Sequence, residues 1–333
     1  MFCNHVGAVM GKRRVGFRRF IGRLTVMAGA ALMVLPAVSD WKQAVAYFNQ
    51  GKFDLSIQEL KPDLDKNPDW ADGHRLAGMC YLNLKNNALA IVELSRAVQL
   101  QSKAYATYQG LAQAYFNSDK LDNCIQSLSQ GEQFAKDPSD LYNLHHLRGA
   151  AYYRLQKYNQ AVDDLTGAIR IRATDWVDFS QLGIAYYSQD RYDEASQALQ
   201  KALTLKPGDN VTTQFLGKAC FKQGVSALTA KMYPQAIDLL KKAANYNPSD
   251  GYVYYNLGEA YHYSNNYPEA EKAYNDALNL LPRNADIYQR LGLLYEKQKK
   301  WDKALSAYQK ANELSPSPSL KEAITRVTEI KKK

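Results

Sequence analysis

The chain has 333 residues, 46% of them hydrophobic and 23% charged, a balance typical of a globular protein. Its net charge of +9 suggests a nucleic-acid binder until the charge is located. Lys12, Arg13, Arg14, Arg18, Arg19 and Arg23 lie in an acid-free stretch, residues 1–39, and the remainder holds 36 basic against 33 acidic residues. That small excess leaves no clear basic face in the folded part and argues against a nucleic-acid partner.

The basic opening runs into LTVMAGAALMVLPAVS, residues 24–39, which ends in small residues before Asp40. A charged segment, an apolar segment and a small-residue cleavage site are the parts of a secretory signal peptide. The apolar run is shorter than the roughly 20 residues that span a bilayer, and Pro36 interrupts it. The expected outcome is export by the general secretory route with cleavage after Ser39; an uncleaved anchor in the inner membrane is the alternative. No cysteine directly follows the apolar run, so a lipid anchor is not expected. Cleavage would remove Cys3, one of four cysteines, and leave the widely spaced Cys80, Cys124 and Cys220, which predicts buried, unpaired thiols rather than a disulfide or metal framework, with a single Cys80–Cys124 bridge as the alternative.

From residue 40 onward the sequence repeats itself. The small residues Ala44, Gly78, Ala112, Gly149, Gly183, Gly224, Gly258 and Gly292 are each followed 12 positions later by another: Ser56, Ala90, Cys124, Ala161, Ala195, Ala236, Ala270 and Ala304. The spacing is 34 residues except between Ala112 and Gly149 and between Gly183 and Gly224. The first irregularity contains AKDPSD, residues 135–140, and predicts a longer second helix in the third unit. The second is seven residues too long, about two helical turns, and predicts one elongated helix over roughly 211–230. Each unit reads as two helices joined by a polar turn, with close helix approach at the small residues. Pro68, Pro207, Pro248, Pro282 and Pro316 stop the second helix because proline has no N–H for the backbone ladder.

This pattern closely resembles the tetratricopeptide repeat, with its 34-residue period of W-x₂-L-G-x₂-Y, A-x₃-F and P. It is carried by sets such as Leu257, Gly258, Tyr261, Ala270, Tyr274, Ala277 and Pro282, and Leu291, Gly292, Tyr295, Ala304, Tyr308, Ala311 and Pro316. The first unit departs most, with Gln43 and Asp63 at apolar positions. The resemblance implies an all-α, right-handed superhelical solenoid: eight helix pairs over residues 40–316, then a capping helix and basic tail over 317–333 with Ser319 as its N-cap.

Most of the 24 tyrosines fall on packing positions of the repeat. With the small residue of the first helix as position eight, positions 2, 5, 9, 12 and 13 cluster opposite the packing face, and in tetratricopeptide superhelices that set lines a concave groove. The resemblance therefore implies a partner-binding groove of Gln109, Gln113, Phe116, Asn117, Asn143, His146, Tyr153, Arg154, Tyr187, Tyr252, Tyr255, His262 and Tyr263, suited to an extended peptide or helix. The lysine, asparagine and arginine clamp of the family's chaperone-tail binders is missing. No zinc-protease spacing, Gly-rich phosphate loop or nucleophile elbow occurs, so no catalytic residue, cofactor or metal is assigned. Adjacent His145 and His146 point about 100° apart on a helix and are not expected to ligate one metal together. The expected function is a non-catalytic interaction scaffold in the bacterial periplasm or envelope; the alternative is a permanently bound structural subunit of an envelope enzyme complex.

Overall fold

A computed structural model describes residues 41–332; the leader or anchor expected over residues 1–39, with Cys3 and the paired arginines, lies outside the described residues. Seventeen α-helices follow in chain order, with no strand among the described residues. They pair as α1 (Trp41–Asn49) with α2 (Phe53–Lys66), α3 (Ala71–Asn83) with α4 (Asn87–Gln99), α5 (Tyr105–Asn117) with α6 (Leu121–Gly131), and α7 (Pro138–Arg154) with α8 (Tyr158–Ile171). Then come α9 (Trp176–Ser188) with α10 (Tyr192–Leu205), α11 (Asn210–Thr229) with α12 (Tyr233–Tyr246), α13 (Gly251–Tyr263) with α14 (Tyr267–Leu280), and α15 (Ala285–Lys297) with α16 (Trp301–Leu314). A last helix, α17 (Pro318–Lys332), follows. Each helix packs mainly on its neighbours in sequence, which is the one-dimensional stacking of a tetratricopeptide-type solenoid.

A single contact explains most of the small-residue periodicity. A Cβ built on Gly78, Gly149, Gly183 or Gly224 would lie 2.5–2.9 Å from the Cγ of Leu94, Leu165, Leu199 or Leu240, the residue 16 positions later on the second helix. Leu60 and Leu128 hold the same place opposite Ala44 and Ala112, and all six leucines are buried to within 1% of full burial. In the last two units the leucine is replaced by Tyr274 and Tyr308, and the missing Cβ of Gly258 or Gly292 makes room for the ring, 2.6 and 2.5 Å away. In the first unit the small residue of the second helix is Ser56, whose buried hydroxyl donates to the Ala44 carbonyl at 2.8 Å.

The turn inside each pair is built alike. Seven residues after the small residue of the first helix, the backbone adopts positive φ in all eight units, at Gly51, Lys85, Asp119, Gln156, Asp190, Lys231, Asn265 and Lys299. Between pairs, the second helices end two residues before Pro68, Pro207, Pro248, Pro282 and Pro316, where the sequence places the stop. Asp137, Asp175, Asp209, Asp250 and Asn284 then accept a backbone N–H of the next first helix as N-caps.

The two spacing irregularities resolve differently. The seven-residue insertion is absorbed as expected by one long helix, α11, with Leu216 and Gly217 buried in register with Gly224. The three-residue excess is not taken up by a longer second helix. Helix α6 stops early, at Gly131, tightens into a 3₁₀ turn over Glu132–Phe134, and the extra length goes to the 17-residue α7. Two contacts set this. Gly131 lies directly against the Tyr108 side chain, where a Cβ would come within 2.5 Å, and Asp137 with Pro138 at the first turn starts α7 early. The cap of α17 is likewise two residues earlier than the sequence suggests: Ser317 Oγ, not Ser319, accepts the Leu320 N–H at 3.2 Å, with Pro318 opening the helix.

Candidate interaction groove

Successive first helices approach one another along the array, α3 to α5, α5 to α7, α7 to α9, α9 to α11, α11 to α13 and α13 to α15, whereas the second helices make no comparable contacts with each other. The first helices therefore line the inner side and the second helices the outer side, which places positions 2, 5, 9, 12 and 13 on the concave wall.

The residues expected there fall into local clusters. Gln113 donates to Asn117 Oδ1 at 2.9 Å, and Asn117 reaches back to Asn87 Oδ1 of the preceding pair at 3.2 Å. Arg154 stacks its guanidinium on the Phe116 ring, 4.8 Å to the centroid, and donates to Asp119 Oδ1 at 2.7 Å. Gln109 and Asn143 are half-buried beside them. At the far end Tyr255 Oη accepts from Arg290 Nε at 3.3 Å while Arg290 pairs with Glu259 at 2.9 Å. His262 is flanked by the rings of Tyr263 and Tyr267, and burial together with the charges of Arg290 and Lys297 holds its imidazole below the usual value, in the neutral form.

Four residues differ from the sequence reading that placed them off the packing face: Phe116 packs against the core of the third pair and Tyr255 against that of the last pairs, and Tyr153 and Tyr187 do so as well. Tyr153 packs against the cores of the fourth and fifth pairs and burial drives its hydroxyl pKa up to about 12; Tyr187 packs on the same core edge-on to Phe215, ring centroids 5.5 Å apart. Position 12 faces the next first helix as much as the groove, because those helices are the ones that touch. The residues that do present free aromatic surface are Tyr252 and Tyr263, 55% and 48% exposed, the latter stacked on Tyr233 of α12 at 5.8 Å. Phe215 and Arg290 were not legible as groove residues: Phe215 belongs to the inserted turns of α11, and Arg290 lies at position 6.

The adjacent histidines separate as helix geometry demands. His145 pairs with Asp164 of α8 at 2.8 Å, a carboxylate also held by Arg148 at 2.8 Å. Burial alone would raise the Asp164 pKa, but the hydrogen bonds from His145 and Arg148 outweigh it and lower it. His146 turns instead toward the fifth pair and meets fully buried Asp178 at 2.7 Å. Desolvation opposes its charged form, yet the Asp178 hydrogen bond and the charges of Asp178 and Asp175 raise its pKa. Cys80, Cys124 and Cys220 are buried and unpaired among the described residues, and burial pushes the Cys80 thiol to about 11 and Cys124 to about 12, so both stay protonated at neutral pH.

Family models of the tetratricopeptide repeat match residues 42–107, 179–209, 209–283 and 285–318. The chain belongs to the tetratricopeptide repeat family. No curated protein matches it. Among solved structures it is similar to the C-terminal part of a TPR repeat-containing protein from Cytophaga hutchinsonii, at 16% identity over 85% of this chain and 99% of that one, TM-score 0.48. It is also similar to MamA from Desulfovibrio magneticus RS-1, 24% identical over 54% of this chain and 97% of that one with TM-score 0.38, and to MamA AMB-1, 26% identical over 53% and 99% with TM-score 0.39. Tetratricopeptide repeats are as a class protein–protein interaction scaffolds, and the match supports an interaction scaffold here.

Proposed function

We propose that the protein is an exported, non-catalytic scaffold of the bacterial periplasm or envelope that holds an extended segment or helix of a partner protein in its concave groove. The observation that carries this reading is the exposed aromatic surface of Tyr252 and Tyr263 on the inner helix α13, beside the polar Tyr255, Arg290 and Glu259 cluster. Tyrosine offers wide contact area with a hydroxyl handle, and it is enriched where interfaces concentrate their energy. The basic and then apolar character of residues 12–39 supports export.

The partner test compares Tyr252→Ala with Tyr263→Ala against Lys241→Ala, an exposed outer-helix control. Truncating true aromatic anchors costs about 2 kcal/mol or more of binding, so capture of the partner from an envelope extract should fall at least about 30-fold in the double variant and stay unchanged in the control. Full capture by the double variant moves the interface off α13. For export, N-terminal sequencing of the cell-fractionated protein should give a chain starting at or near Asp40; intact Met1 in the membrane pellet replaces cleavage with anchoring.

A further inference from the structure

We infer that His146, Asp175 and Asp178 form a binding site for a first-row divalent cation of the zinc or manganese type, placed between the fourth and fifth helix pairs. It is independent of the groove reading. Among the described residues this is the one group of three histidine, cysteine or carboxylate side chains able to converge on an ion, with every ligand atom within 4.8 Å of the others. One imidazole nitrogen and two carboxylates make a borderline-to-hard donor set of the kind that holds zinc or manganese and that magnesium, which prefers oxygen and water, fills poorly.

Hydrogen bonding within the chain leaves this cluster over-supplied with acceptors. Tyr142 Oη lies 3.1 Å from Asp175 Oδ2 and 3.2 Å from Asp178 Oδ2. A phenol has one proton, so it donates to one of those oxygens and faces the other without a bond. Asp178 has no exposed surface and already takes His146 on Oδ1, so the phenol proton belongs on its Oδ2, which leaves Oδ2 of half-buried Asp175 as the oxygen with no donor from the chain. A cation between the two carboxylates would satisfy both oxygens at once. The charges around it are accounted for: Arg172 stacks on the Tyr142 ring at 3.8 Å from the centroid, but it is an exposed residue that can swing to water as a cation enters.

Local structure presents the ligands with little reorganisation. Asp175 is the N-cap of α9, its Oδ1 tied to the Val177 N–H at 2.9 Å, which leaves Oδ2 for the site. Asp178 is one turn further along the same helix, and His146 comes across from α7. Metal–ligand bonds of about 2.1 Å at tetrahedral angles set ligand atoms about 3.4 Å apart, so ligand atoms now up to 4.8 Å apart have to close by as much as about 1.4 Å, with half-buried Asp175 moving inward. Imidazole Nδ1 and Asp178 Oδ1, hydrogen-bonded at 2.7 Å, have to part by about 0.7 Å as the ion replaces the proton between them. The site lies on the inner wall, at position 5 of α7, so an ion there would clamp two groove-lining helices together.

The test uses the full chain purified without a histidine tag and stripped with chelator. Isothermal titration with ZnCl₂ and MnCl₂ should show one equivalent bound, and thermal melting should shift upward by a few degrees at saturating ion; MgCl₂ at the same concentration should do neither. His146→Gln and Asp175→Asn should each lower the affinity at least about tenfold. Asp175→Asn retains an oxygen for the α9 cap, so it keeps the proposal testable if the histidine variant folds poorly. Cobalt substitution should give a visible d–d spectrum that the His146→Gln chain lacks. No binding by the native chain, an unchanged affinity in Asp175→Asn, or an equal shift with magnesium would each overturn the site.

Discussion

Two residue-scale features carry direct consequences. The left-handed residue of each turn is glycine in the first unit alone; elsewhere Lys85, Gln156, Lys231 and Lys299 take a conformation that costs an L-residue about 1–2 kcal/mol. Gln156→Gly should therefore stabilise the protein by roughly 0.5–1 kcal/mol. Gly51→Ala should destabilise it through conformation alone, since nothing lies within 4 Å of the added Cβ; urea midpoints of the two variants should move in opposite directions. Glu271 supplies a pH-dependent term. Its burial would raise the pKa, but Lys303 and Tyr295 hydrogen-bond its carboxylate, Lys300 adds its charge, and the result lies below the usual 4.5. A depressed folded value stabilises above the unfolded value and is lost as pH falls through the folded one. The stability gap between the native chain and Glu271→Gln should thus be present at pH 6 and shrink as the pH falls below the unfolded value of 4.5, measured by urea midpoints.

At the scale of the helix pair, stability depends on how closely two backbones approach. Where the opposing side chain is leucine, the glycine admits a branched tip; where it is Tyr274 or Tyr308, the ring occupies the space a Cβ would need. Gly258→Ala should cost about 1–3 kcal/mol through overpacking. Tyr274→Leu in the same chain should recover much of that loss by recreating the alanine-on-leucine arrangement of Ala44 with Leu60 and Ala112 with Leu128, and the recovery is read as a coupling energy in a double-mutant cycle. Additive effects would show that ring and glycine do not share the space. The same logic explains the third pair, where Gly131 seated on Tyr108 ends α6 early and the surplus residues lengthen α7.

For the molecule as a whole, stacking along one dimension makes the ends its weak points. Helix α17 buries Leu320, Ala323 and Val327 and brings Arg326 to Glu296 at 3.0 Å, where Glu296 also accepts from Tyr308 Oη at 3.2 Å; its tail adds a Lys331 to Asp302 pair. Removing residues 317–333 should cost on the order of a few kcal/mol in the eighth pair through the apolar surface uncovered. Hydrogen exchange should then speed up in α15 and α16 while α3 to α10 keep their protection. Uniform loss of protection would contradict nearest-neighbour stacking.

The sequence by itself determined the helix pairs, the number of them, the stop before each closing proline and the seven-residue extension of α11, because these follow from small residues at fixed intervals, backbone chemistry and a 3.6-residue period. It also separated His145 from His146, since adjacent helical side chains diverge. Tertiary structure decided the rest. Whether three extra residues lengthen α6 or α7 depends on Gly131 meeting Tyr108, a contact across helices that no local pattern encodes. Position 12 looks outward on a single helix, but Tyr153 and Tyr187 are covered by the next first helix, because inner helices converge where outer ones do not. The meeting of His146, Tyr142, Asp175 and Asp178 arises the same way. Two lie on α7 and two at the start of α9, about 30 residues on, and only the stacking of one pair on the next brings them together.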